Sequence, residues 1–115
     1  MPIETLESDS VKQAARHQAL FREVNENIAQ LTRLANETGY SLFICECSDT
    51  DCAESLELTP AEYEAVRARG TRFIVLPGHQ LEAVERVVEG NGRFLVVEKF
   101  GQAAAVVDAA DPRAA

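Results

Sequence analysis

All three cysteines of the chain fall in one short stretch, Ile44 to Cys52, at Cys45, Cys47 and Cys52. One further residue of matching chemistry, His79, follows downstream in a Pro-Gly-His turn. Thiolate sulfur and imidazole nitrogen are ligands of tetrahedral zinc, at about 2.3 Å and 2.0–2.1 Å from the metal. Three thiolates and one imidazole would fill the coordination shell and give a closed, structural site. In extended backbone, residues i and i+2 point to the same side. Cys45 and Cys47 can therefore aim their sulfurs at one point while Glu46 faces away. The polar run Ser48 to Asp51 is turn chemistry that can bring Cys52 back beside them.

A plainer reading stands beside this one. Free cysteine is among the most buried residue types and packs as a small hydrophobe. Cys45 follows Leu42, Phe43 and Ile44, so burial alone accounts for it, whereas Cys47 and Cys52 flank a polar turn. The spacing C-x-C-x4-C with a distant histidine also differs from the paired C-x2-C knuckles of zinc ribbons. A disulfide across Cys45 and Cys47 would be strained by strand geometry. Metal ligation, burial as reduced thiols and redox chemistry all stay open at this level.

Other groups carry less. His17 lies among polar residues of a long helix and reads as solvated. Asp49 and Asp51 are alternative ligands but also ordinary turn residues. Glu62 and Glu64 read as a solvated helix face. Gly90 and Gly92 mark a hairpin, since no helix follows them as a phosphate loop requires. No nucleophile has a recognisable base beside it, and nothing in the sequence supports an enzyme.

The elements that must hold these residues can be read in order. Ser10 and Gln13 have capping-box spacing, and no Pro or Gly interrupts the chain from there to Glu37. Leu20, Phe21, Val24, Ile28, Leu31, Leu34 and Ala35 recur at helical steps. The pattern predicts one long amphipathic helix facing the core, closed by Gly39 as a left-handed cap. Strands are expected at Tyr40–Cys47, Glu54–Leu58 and Arg72–Leu76. Between the last two, Thr59, Pro60 and Glu62 mark the start of a helix running to about Arg69 and ending at Gly70. Val84–Glu89 and Arg93–Lys99 form a hairpin across Gly90-Asn91-Gly92. The expected fold is α+β, a long N-terminal helix packed on a small, mainly antiparallel sheet with a short second helix. Residues 1–9 are expected to be a mobile acidic lead, 10–101 a single domain, and 102–115 a disordered Ala-rich tail.

With 115 residues the chain suffices for one domain. A net charge of −8 gives no general attraction to a phosphate backbone, so nucleic acid is not an expected partner. No run of about 18 apolar residues exists, and the acidic N-terminus lacks the layout of a signal peptide. A cytoplasmic location, with reduced thiols, is the expectation.

Ala19–Ile28, Cys45–Arg67, Arg72–His79, Val84–Gly101 and Asp111–Arg113 together resemble a family of small stand-alone bacterial proteins, mostly actinobacterial. Its most specific parts here are the C-x-C-x4-C motif and the downstream Pro-Gly-His. The resemblance implies a bacterial, cytoplasmic protein with a shared site at Cys45, Cys47, Cys52 and His79, and carries over no catalytic residue. Three functions follow from the residues. One is a protein-interaction or regulatory module with a structural zinc, joined to a protein partner or a second copy through the long helix. Another is a thiol- or metal-based sensor, which needs a thiol of lowered pKa. The third is a small metal-dependent enzyme with an open coordination position.

Overall fold

Strand pairing in this chain is antiparallel throughout, and the Cys segment lies where two small sheets meet. A computed structural model describes residues 3–36, 38–49 and 51–113, with the side chains of the first helix described continuously from Arg16. The element order is α1 (Ile3–Leu34), β1 (Ser41–Ile44), β2 (Ser55–Leu58), α2 (Pro60–Arg67), β3 (Arg72–Val75), β4 (Glu85–Gly90), β5 (Leu95–Lys99) and α3 (Gly101–Ala109). This is the expected α+β class, with the strands divided into a β1-β2 pair and a three-stranded sheet of order β3-β5-β4. In the first pair Ser41 opposes Leu58 and Ile44 opposes Ser55, so the residues between Ile44 and Ser55 form the hairpin loop. All three cysteines sit in that loop.

The core is built from one face of α2 and strand residues that alternate in β2 but are buried in succession in β3 and β5. Phe43, Leu56, Leu58, Tyr63, Val66, Phe73, Ile74, Val75, Val96 and Val97 are buried together, and Phe43 stacks on Tyr63 with ring centroids 4.7 Å apart. Helix α2 starts as its sequence dictates. The Thr59 side chain accepts from the Glu62 amide, Glu62 returns to the Thr59 amide, and Pro60 occupies the first turn. It ends at Arg67, short of Gly70.

Helix α1 departs from the expected pattern at both ends and on its buried face. It begins at Ile3, so Ser10 and Gln13 lie inside it and do not cap it, and residues 3–9 are helical in place of a separate lead. It stops at Leu34, and the left-handed residue is Asn36 (φ 55°), not Gly39. Asn tolerates this conformation better than other non-glycine residues.

Among the described side chains of α1, the buried ones are Gln18, Arg22, Asn25, Ala29 and Thr32, a stripe at steps of four and three that is mostly polar. The expected apolar stripe is turned aside. Leu20, Leu31 and Leu34 are 56%, 65% and 74% exposed, while Phe21, Val24 and Ile28 are half-buried. The cause is what α1 lies against. It covers chain segments whose backbone groups need partners, and leucine has none to offer. Arg22 donates to the carbonyls of Gly70 (2.6 Å) and Arg72, and its guanidinium stacks 3.7 Å above the Phe73 ring.

The C-terminal segment is ordered, contrary to the expectation of a disordered tail. Residues Gly101–Ala109 form α3, with Ala103 and Val107 buried. Alanine is the best helix former, and α3 is then pinned by charge. Buried Arg67 binds Glu26 (2.5 Å) and Asp111, while Arg113 forks onto Glu26 (2.8 Å) and Glu64 (2.9 Å). Glu64 is thus an ion-pair partner, and Glu62 likewise holds Arg93 at 2.7 Å, so neither is simply a solvated helix face.

Candidate metal centre

The hairpin loop and the turn after β3 converge on one point. Cys45 continues the β1-β2 ladder by one step, its amide donating to the Glu54 carbonyl at 2.8 Å. The next amide, that of Glu46, donates to the Ile74 carbonyl at 2.8 Å, so this short segment ties the first sheet to the second. Cys45 and Cys47 lie just beyond β1 in place of the longer strand expected, yet Glu46 is turned away from both sulfurs into the interior. Past Cys47, the Asp51 amide donates to Asp49 Oδ1 at 2.9 Å and the Cys52 amide to the Asp49 carbonyl at 3.1 Å. That turn returns Cys52 to the other two cysteines.

His79 arrives from the other side. Leu76, Pro77, Gly78 and His79 make a tight turn in which the His79 amide donates to the Leu76 carbonyl at 2.9 Å. Pro in the second position and Gly78 at φ 92° are the residues that a type II turn requires. The same turn satisfies a sulfur, because the Leu76 amide donates to Cys45 Sγ at 3.3 Å.

Cys45, Cys47, Cys52 and His79 are brought together, one ligand atom from each, all within 4.8 Å of one another. His79 Nδ1 is 3.7 Å from Cys45 Sγ and 3.6 Å from Cys52 Sγ. A single ring N–H cannot point at two sulfurs at once. Two ligands of a shared tetrahedral ion, by contrast, sit at a common separation. Bonds of about 2.3 Å to sulfur and about 2.05 Å to nitrogen give a sulfur–nitrogen edge of about 3.6 Å. The other ring nitrogen, Nε2, lies 3.4 Å from Glu54 Oε2. A carboxylate behind a ligating imidazole fixes its tautomer and raises its basicity.

The three cysteines are free thiols, all buried. Burial pushes the Cys45 and Cys47 thiols above their ordinary value. Lys99, buried in a 2.5 Å pair with Glu85, adds positive charge within electrostatic reach of Cys47. The arrangement can hold a metal ion through four donors. A groove of about 340 Å³ lined by Ser48, Asp49, Gly78, His79, Gln80 and Leu81 opens beside it.

Asp49 and Asp51 do not belong to the four-residue cluster and serve the turn instead. His17 is half-buried and packs edge-on against Phe21, with centroids 4.3 Å apart, so it is less solvated than its neighbours in sequence imply. Glu54, Asn25 and the Leu76 amide were not legible as parts of the site. For Glu54 the one available signal was its place two residues beyond Cys52. Among the described residues, no helix is long and apolar enough to cross a membrane. No protein-family model matches the chain, and neither the curated proteins nor the solved structures offer a match.

Proposed function

We propose that the protein is a small interaction or regulatory module whose Cys45, Cys47, Cys52 and His79 hold one zinc ion as a closed structural centre. The observation that carries this reading is the near-equal distance of His79 Nδ1 from two sulfurs, 3.7 and 3.6 Å, at the edge length of a zinc tetrahedron. The free thiols, the Leu76 amide donating to Cys45 Sγ and Glu54 behind the imidazole support the same assignment. Membership of the actinobacterial family that the sequence resembles and a cytoplasmic setting, in which thiols stay reduced, belong to the same proposal. Four protein donors leave no coordination position for substrate, which disfavours a metal enzyme. Burial holds the Cys45 and Cys47 thiols up, opposite to what a reactive sensor thiol needs. The exposed leucines of α1, Leu20, Leu31 and Leu34, are the surface offered to a protein partner.

The test is elemental analysis of protein purified without a histidine tag. One zinc per chain, retained against a weak chelator and lost on replacement of Cys47 or Cys52 by serine, is expected. A native protein that carries no metal and does not bind added zinc overturns the reading.

A further inference from the structure

The segment Cys45-Glu46-Cys47 is gripped from two sides. Its sulfurs face His79, while Glu46 between them is bonded both to α1 and to Ile74 of β3. Asn25 Nδ2 donates to the Ile44 carbonyl at 2.8 Å and to Glu46 Oε2 at 2.9 Å, while Asn25 Oδ1 accepts the Ile44 amide at 2.8 Å. Gln18 Nε2 donates to the Glu46 carbonyl at 3.0 Å. Glu46 is fully buried, and its second oxygen, Oε1, accepts the Ile74 amide at 3.0 Å. These bonds exist only while residues 44–46 keep the one path that also aims Cys45 and Cys47 at a common point. Extended backbone makes this unavoidable, because alternate side chains share a side and the residue between them takes the other.

The grip matters to α1 because its docked face is mostly polar. Gln18, Arg22, Asn25 and Thr32 are buried with polar ends that depend on hydrogen-bond partners. Buried amides are stabilising only when their partners are in place, and costly when they are not. A helix held this way responds to the path of residues 44–46 far more than one held by a leucine stripe, which tolerates small shifts of its neighbours.

We infer that Asn25 and Gln18 are positioning residues of the metal centre, so that metal loading and docking of α1 form one linked equilibrium. The inference rests on the zinc reading given above. Linkage is reciprocal: whatever factor zinc adds to helix docking, the docking contacts add to zinc affinity.

The experiment measures zinc affinity by competition with a chromophoric chelator, and backbone hydrogen exchange of α1 with and without zinc, on the full chain. Asn25→Ala is expected to weaken zinc about tenfold, within the usual range of coupling between sites. Gln18→Ala, which removes a single bond, weakens it less and serves if Asn25→Ala does not fold. Leu34→Ala, exposed on the same helix, and Val66→Ala, buried in α2, are expected to leave zinc affinity unchanged. Zinc is expected to slow exchange between Gln18 and Thr32 by a comparable factor. If wild type binds one zinc but Asn25→Ala and Gln18→Ala bind it equally well, the positioning role is overturned while the metal centre stands. Equal weakening in Val66→Ala also overturns it, because the effect is then general destabilisation. A wild-type chain that binds no zinc overturns the metal centre itself.

Discussion

The side chain of Asn25 pairs with Ile44 as a neighbouring strand would, giving its Nδ2 to the Ile44 carbonyl and its Oδ1 to the Ile44 amide, both at 2.8 Å. A helix residue thus completes the ladder at the point where β1 ends and the cysteines begin. Asn25→Leu keeps the branched shape and strands both backbone groups of Ile44 together with Glu46 Oε2. The expected loss is about 3 kcal/mol or more, since each buried group left unpaired costs about 1–3 kcal/mol. Urea denaturation followed by circular dichroism measures it, and a loss under 1 kcal/mol would contradict the account.

Glu54 is the outer partner of His79, at 3.4 Å from Nε2. Replacing such a carboxylate ordinarily lowers metal affinity about 10- to 100-fold. Because Glu54 is itself exposed, Glu54→Gln is expected at the low end, about tenfold. The denaturation midpoint of the metal-free protein should not move. Chelator competition on the purified variant gives the answer, and an unchanged affinity removes Glu54 from the site.

Gly78 adopts φ 92° in the turn that delivers His79, and nothing crowds a Cβ built there. Gly78→Ala therefore tests backbone strain alone, about 1 kcal/mol or more at a left-handed position. The turn is expected to relax toward an ordinary conformation and move the imidazole off the sulfurs. Zinc affinity should fall together with stability. In Gly92→Ala, where a Cβ also meets open space and no positive φ is required, both should hold.

Acid should loosen α3 before it unfolds the sheets. Burial opposes ionisation of Glu26 and Asp111, but hydrogen bonds from Arg113 and Arg67 prevail and hold both carboxyls below their ordinary values. The Arg113 bond does the same for Glu64. A carboxylate with a depressed native pKa contributes stability above its unfolded pKa, and that stability is lost as pH falls through the native value. The window lies below about pH 4. Arg113→Ala should lower the melting temperature at pH 7, with the difference from wild type shrinking as pH falls below the ordinary carboxyl range and through the lowered native values. Comparing two proteins that share the metal centre cancels the acid release of metal from both. A difference that stays constant with pH would show that Arg113 acts by packing alone.

Among the described side chains of α1, Gln18 is the first that is buried. Deleting residues 1–15 is therefore expected to leave the domain folded, with an unchanged zinc stoichiometry. If α1 engages a partner or a second copy through Leu20, Leu31 and Leu34, Leu31→Glu with Leu34→Glu should abolish association in sedimentation velocity, while the deletion, which keeps all three leucines, should not. A full-length chain that is monomeric at high concentration, and that loses no interaction in the double variant, would reduce this flank to a solvated surface.

The site was legible in the sequence because its logic is local. Two cysteines separated by one residue share a side of extended chain, Ser48 to Asp51 can only turn, and Pro77-Gly78 fixes His79 where β3 ends. Capping at Thr59 and Glu62 and the hairpin about Asn91 were legible for the same reason, since each depends on residues within one turn. What the sequence could not decide was which face of α1 is buried. Periodicity identifies an apolar stripe but not its neighbour, and here the neighbour is a set of backbone carbonyls and the Glu46 carboxylate that call for amides and a guanidinium. The order of residues 101–113 was hidden likewise, because Arg67, Asp111, Arg113 and Glu26 lie far apart in sequence and meet only when α1, α2 and α3 pack. Local spacing marked the three cysteines and the turn that carries His79, and long-range packing and hydrogen bonding decided that they meet and which scaffold aims them.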